Sequence, residues 1–203
     1  PVAWSIAISS LLTIVVSIPV LPAVTTISQR MATGLDSFAL LAIPFFILSG
    51  QLMTHGGIAD RLIGFAKTIV GAFPGGVALI NIIAAMLMGA IAGSAMASAS
   101  AMGSILGPEM EKEGYAKEYG AAVNITSATI GLIIPPSNVL IVYSLASGGV
   151  SIAALFLAGY IPGILTGLFL MIVAGVWAKK HNYKTFGRSS FKQVIKALSL
   201  IHI

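Results

Sequence analysis

Between Ala84 and Ser104 the chain reads AAMLMGAIAGSAMASASAMGS, in which 15 of 21 residues are Ala, Gly or Ser. Further on comes GLIIPPSN, Gly131 to Asn138, where two adjacent prolines interrupt an apolar run. Each proline removes an N–H donor and leaves a carbonyl one turn earlier without its helical partner. In lipid, freed N–H and C=O groups cost several kcal/mol each unless something polar satisfies them. A bound ion or substrate is such a partner. A small-residue hairpin facing a broken helix is how secondary transporters build a binding site at the bilayer midplane.

Other chemistries find no support. Every Asp and Glu lies outside the apolar segments, and no histidine pair, GxSxG motif, Walker loop or zinc spacing occurs. An intramembrane hydrolase needs a nucleophile with a base beside it, and Ser94 has no visible base. With no ATP site, the chain is not an ATP-driven pump, and no enzymatic activity is expected. A channel would need a repeated pore-lining set, which one hairpin does not supply. There is no cysteine, so disulfides and thiolate metal sites do not arise. His55 reads as interfacial and inert, and His181 as part of a basic loop rather than a ligand. The net charge of +5 comes from loop residues, not from an aromatic-laced nucleic-acid stripe.

These motifs must be positioned by helices in a membrane. Hydrophobic residues make up 57% of the chain and charged residues 8%, against about 25% charged in soluble domains. Mean hydropathy is +1.00. The expected fold is all-α and integral to the membrane. Val2–Val20 forms a first apolar segment ended by Pro19 and Pro22, and 23–35 is more polar. Asp36 or Ser37 caps a second span, Phe38–Met53, kinked at Pro44. In HGGIADRLIGFAKTIVGAF, residues Ile58, Leu62, Phe65 and Ile69 share one side, as in a helix lying in the interface; an ordinary loop helix is the alternative. Two runs follow, Val77–Ala92 and Ala95–Leu106, the second ending at Gly107-Pro108. Each is shorter than the roughly 20 residues of a full span. They form either a re-entrant hairpin turning at Gly93-Ser94 or two closely packed spans. Tyr119–Ala146 is the proline-broken span, Gly148-Gly149 turns the chain, Ser151 caps, and Ile152–Trp177 crosses back.

Charge orients these segments. Placing the basic tail in the cytoplasm puts 55–74 and 109–118 there too, and 21–36 and 147–151 outside. Ten of the eleven Lys and Arg residues then lie inside, Arg30 alone outside. The count supports an even number of crossings in the hairpin region and is the same for hairpin and spans. The chain opens on Pro1 within an apolar stretch, without an initiator Met or a charged leader region. The closing ALSLIHI is too short to span. A fragment is expected, whose last residues need not be native sequence.

LLAIPFFILSGQLM, GGIADRL, GAIAGSAMASASAMGSILGPEMEKEGY, SATIGLIIPPSNVLIVY and VSIAALFLAGYIPGIL together resemble the large membrane subunit of tripartite ATP-independent periplasmic (TRAP) transporters. The resemblance runs from Pro1 to about Tyr183 and covers the first half of that subunit, without its first helix. It implies a bacterial inner-membrane, multi-pass permease that imports small organic acids (C4-dicarboxylate, sialic acid or sugar-acid class) on a sodium gradient. Its partners would be a periplasmic substrate-binding protein and a small four-helix membrane subunit. Sodium would be the coupling ion, with no other cofactor. It further implies one inverted repeat of an elevator. Residues 1–73 would form scaffold helices and an interfacial arm. Residues 74–150 would form half of the transport domain, with the re-entrant hairpin at 75–111 and the broken helix at 119–146. A transmembrane helix would occupy 151–178, and a cytoplasmic basic loop with a truncated end 179–203.

Carried over by motif, the resemblance puts sodium at Ser94 on the hairpin tip and at the backbone of Gly131, Ile134 and Pro136. Ser98, Pro135, Ser137 and Asn138 would lie on the substrate side or in support. The chain departs from the family at two points: Ala92 stands where tips often carry Ser, and Ser98 where many members carry Asp. A sodium–dicarboxylate symporter working without a binding protein shares the architecture, but its tip would read Ser-Asn-Thr. Simpler readings stay open. Ser98 and Ser100 can serve close helix approach. Asn124, Thr126 and Thr129 can bond their own helix. Pro135-Pro136 can be a mere kink.

Overall fold

The computed structural model describes residues 2–36, 38–183, 185, 187 and 189–201, and the secondary structure of those residues is helical. In chain order the helices are α1 (Val2–Ser17), α2 (Val20–Leu35), α3 (Phe38–His55), α4 (Ile58–Val70) and α5 (Gly76–Ala92). Then come α6 (Ala95–Lys112), α7 (Lys117–Ile130), α8 (Asn138–Ala146), α9 (Ile152–Lys180) and α10 (Phe191–Ile201). The chain divides into two compact units, residues 1–42 and 43–203.

In the first unit, α1 and α2 pack on one another. The polar stretch 23–35 lies within α2. Pro19 occupies the N-cap of α2 and Pro22 its first turn, where backbone N–H groups have no intrahelical acceptor and proline costs little. Asp36 ends α2 as its C-cap and does not cap α3. Ser37, the other expected cap, lies outside the described residues, as do Pro1, Lys184, Phe186, Arg188, His202 and Ile203.

In the second unit, α3 continues through Pro44, and the sharp bend comes later, 71° between Leu40–His55 and Ile58–Val70. The face of α4 packed inside the unit is not the apolar side read from the sequence as interfacial. Ala59, Leu62, Ala66 and Val70 are buried, whereas Ile69 is 43% exposed. The small Ala59 and Ala66 allow α4 to lie close against α5, a gain that Ile69 on the neighbouring stripe cannot match.

Helix α5 is the centre of the unit and packs against α4, α6, α7 and α9. Ile80, Ile82 and Met88 are fully buried there beside Met102 and Leu106 of α6. The sequence predicts that α6 stops at Gly107-Pro108, yet the helix runs on to Lys112. Pro108 falls on its exposed side, while Leu106 and Met110, one turn apart, are both buried. That burial holds the helix together across the missing N–H.

Among the described residues, α9 is the one unbent helix long and apolar enough to cross a membrane. Its far end joins the α6–α7 loop through stacked rings. Tyr115 and Tyr183 lie 4.1 Å apart, Trp177 and His181 4.5 Å. The Tyr119 hydroxyl donates to the Ala174 carbonyl at 2.9 Å. Burial pushes the Tyr115 phenol up to about 12, so it stays neutral in this cluster. His181, expected to be an idle loop residue, is one of the stacked rings. Part of the basic tail expected to be loop forms α10, which packs on α4. There Arg61 Nη1 donates to the Leu200 carbonyl at 2.9 Å.

Candidate functional site

The turn between α5 and α6 is two residues long, and each residue has a distinct task. Gly93 closes α5 in the left-handed region (φ 59°), its N–H returning to the Gly89 carbonyl at 2.7 Å. A Cβ at Gly93 would stand 3.1 Å from the Pro136 carbonyl oxygen and 3.4 Å from Asn138 Cγ. Both the backbone angle and the space therefore call for glycine. Ser94 opens α6 as its N-cap, its Oγ accepting from Ala97 N at 3.4 Å.

The break is made with the same parts. α7 ends at Ile130, and tight turn bonds continue to Ile134, whose N–H donates to the Ile130 carbonyl at 3.0 Å. The two prolines then withdraw the N–H groups that would have reached the carbonyls of Gly131 and Leu132. Ser137 Oγ takes over the second, donating to the Leu132 carbonyl at 2.5 Å, and it also accepts from Leu140 N at 3.3 Å as the N-cap of α8. The Gly131 carbonyl has no such replacement. Among the described residues, no hydrogen bond ends on the carbonyls of Gly131, Ile134 or Pro136. Asn138 Oδ1 is also buried without a partner.

Tip and break meet backbone to backbone. A Cβ on Gly131 would stand 2.5 Å from Gly89 Cα, and one on Gly89 would overlap Gly131 in turn. The crossing brings together the C-terminal ends of α5 and α7 and the serine-capped N-termini of α6 and α8. Helix C-termini carry partial negative charge and N-termini partial positive charge. Among the described residues no cluster of His, Asp or Glu could hold a metal. The polar atoms at the crossing are neutral carbonyl and amide oxygens.

The expected residues separate into groups. Gly131, Ile134, Pro135 and Pro136 lie together at the break, with Ile134 and Pro135 buried. Gly93 touches that break, with the Pro136 carbonyl and Asn138 beside it. Ser94 lines a cavity of about 550 Å³ with Gln51, Thr54 and Ser100. Ser137 is occupied as a cap, and Asn138 brings the unpaired oxygen. Ser98 is wholly buried and donates to the Ala85 carbonyl at 3.1 Å, tying α6 to α5. Thr126 and Thr129 bond their own helix, with Thr126 reaching the Ala122 carbonyl at 2.6 Å and Thr129 the Thr126 carbonyl at 2.7 Å. Asn124 does not, its Nδ2 crossing to the Ala99 carbonyl at 2.9 Å.

Two supports were not anticipated from the sequence. Asn81 is buried in α5 and donates to Ser127 Oγ of α7 at 3.1 Å, one turn below the break. Its signal was a lone amide within the 17-residue apolar helix. On α9, Gly159, Gly163 and Gly167 form a buried stripe at four-residue spacing. Gly159 lies against the Ile133 carbonyl and Gly163 against the Ile134 side chain. Together they seat the break from behind.

The sequence pattern of the family described as "Tripartite ATP-independent periplasmic transporter, DctM component" matches residues 1–200. Among curated proteins, the uncharacterized protein YgiK of Salmonella typhimurium is 55% identical over 195 residues, covering 96% of this chain and 45% of that protein. The C4-dicarboxylate TRAP transporter large permease protein DctM of Rhodobacter capsulatus is 37% identical over 183 residues, 84% of this chain and 42% of the relative. The sialic acid TRAP transporter large permease protein SiaM of Vibrio cholerae is 39% identical over 171 residues, again 84% of this chain and 40% of the relative. The chain thus spans less than half the length of these relatives.

Proposed function

We propose that this chain, which belongs to the DctM component family of tripartite ATP-independent periplasmic transporters, is half of a permease that couples sodium entry to uptake of a small organic acid. The family places it in a membrane as a transporter subunit, not an enzyme. The acid would be of the C4-dicarboxylate, sialic acid or sugar-acid class. A periplasmic binding protein would deliver it, a small four-helix subunit would complete the membrane complex, and the bacterial inner membrane would be the setting. The hairpin 75–111 would re-enter the membrane, and 74–150 would move as half of an elevator against a scaffold that includes 1–73. The helix at 151–178 would span the membrane, and the basic 179–203 segment would remain cytoplasmic.

One observation carries the coupling. At the break the main-chain carbonyls of Gly131, Ile133, Ile134, Pro135 and Pro136 take no hydrogen bond among the described residues, and Asn138 Oδ1 is unpaired; of the carbonyls, the family resemblance picks out Gly131, Ile134 and Pro136, beside the Asn138 oxygen. Sodium would bind to these, with Ser94 contributing its hydroxyl if it turns from its cap. The ion would pull the two C-terminal helix ends together. The N-termini of α6 and α8 would then present their positive ends, Ser137 and Asn138 among them, to a carboxylate. Ser98 and Pro135 would hold the shape of the crossing.

The test is uptake in proteoliposomes containing the full-length permease, the small subunit and the binding protein, across a sodium series. Gly131→Val forces the hairpin off the break and should raise the half-saturating sodium concentration at least tenfold. Asn138→Ala, which adds no bulk, should raise it several-fold. Ser94→Ala should do so by about 2- to 13-fold, as expected for a neutral ligand contributing roughly 0.5–1.5 kcal/mol. Parental sodium dependence in all three variants would place the ion elsewhere and leave the break as a hinge.

A further inference from the structure

The end of α9 carries a groove that the transport reading does not use. It has a volume of about 580 Å³ and runs between α7 and α9. One end is apolar, lined by Val123, Leu170 and Val173. The other end is lined by Tyr119, Trp177, His181 and Glu118. Lys179 and Lys180 follow in the last turn of α9. An apolar trough passing into an aromatic rim and then into charge is the profile of a membrane surface, where Trp and Tyr mark the headgroup level.

We propose that this groove holds one membrane phospholipid whose headgroup carries a primary ammonium. Three features select that occupant. The apolar trough lies on the helix that spans the membrane by length and composition, so an acyl chain is the apolar group at hand. At the rim Glu118 is exposed and belongs to neither ion pair found among the described residues, those being Lys67–Glu109 and Lys117–Glu111. Its carboxylate is available to an ammonium, which the faces of Trp177 and Tyr119 would also attract. His181 Nδ1 donates to the Trp177 carbonyl at 2.9 Å, which holds its ring on the indole. Lys179 and Lys180, beside it in the last turn of α9, would take the phosphate. A headgroup with net negative charge and no ammonium leaves Glu118 facing like charge. One with a quaternary ammonium cannot donate a hydrogen bond to it.

The occupant can be read without transport. The purified full-length permease with its small subunit would be stripped of lipid, then offered equal phosphatidylethanolamine, phosphatidylglycerol and phosphatidylcholine, and weighed intact by native mass spectrometry. The parent should retain one phosphatidylethanolamine at least fivefold over either competitor. Glu118→Gln should cut that preference to about twofold while a lipid is still retained. Val173→Trp, at a position 64% exposed and therefore harmless to packing, should remove one bound lipid. If both variants keep the parental lipid count and preference, no phospholipid of this class sits here. If Val173→Trp instead releases the small subunit, the groove is a protein interface and the proposal fails.

Discussion

Asn81 and Ser127 show how polar side chains earn a place in the interior of this unit. Both are buried, and their bond joins α5 to α7 one turn below the break. Ser127 Oγ also donates to the Asn124 carbonyl at 3.1 Å, so the bond from Asn81 is one of its two, and among the described residues it is the only one made by the Asn81 amide. Asn81→Leu should lower thermal stability of the purified permease in detergent. Asn81→Leu combined with Ser127→Ala should cost less than the sum of the two single changes. The coupling read from the four proteins should be about 0.5–1.5 kcal/mol, the range for interhelical hydrogen bonds in membranes. Strict additivity would mean that the pair does not interact. Ser98 is a different case, because its hydroxyl bonds the Ala85 carbonyl, which already lies inside a helix. Its small volume and full burial argue that packing is its main contribution.

At the scale of elements, the pairing of a tight turn with a break was legible because both are written in residues with special backbones. Pro135-Pro136 removes donors wherever it stands, and Gly93 accepts a positive φ. Both therefore announce themselves without tertiary context. The serine cap at Ser151 follows from the same local chemistry. What could not be read was decided by neighbours. The buried face of α4 depends on α5 accepting Ala59 and Ala66. The passage of α6 through Pro108 depends on the burial of Met110. The stacking of His181 depends on Trp177 and Tyr183 arriving together. For the hairpin itself, the depth of its tip distinguishes re-entry from two spans. A re-entrant tip lies inside the membrane thickness, so Ser94→Cys should react slowly with an impermeant periplasmic thiol reagent in at least one transport state. The chain has no native cysteine to confuse the reading. Rapid labelling in every state would mean two complete crossings.

Over the whole molecule, the basic residues set the expected orientation. Asn182 follows Lys179 and Lys180 at the end of α9, on the side where ten of the eleven Lys and Arg residues gather. Asn182→Cys should be labelled in inside-out vesicles and protected in intact cells. Labelling from outside would reverse the topology. The contact of Gly89 with Gly131 has a further meaning at this scale. Where two main chains cross with no side chain between them, the fittings of the crossing belong to the fold itself. An ion held here, as proposed above, would be gripped by peptide oxygens that follow the bend of the chain and not the side chains around it. The proposed coupling could then persist while the residues that face the cargo change.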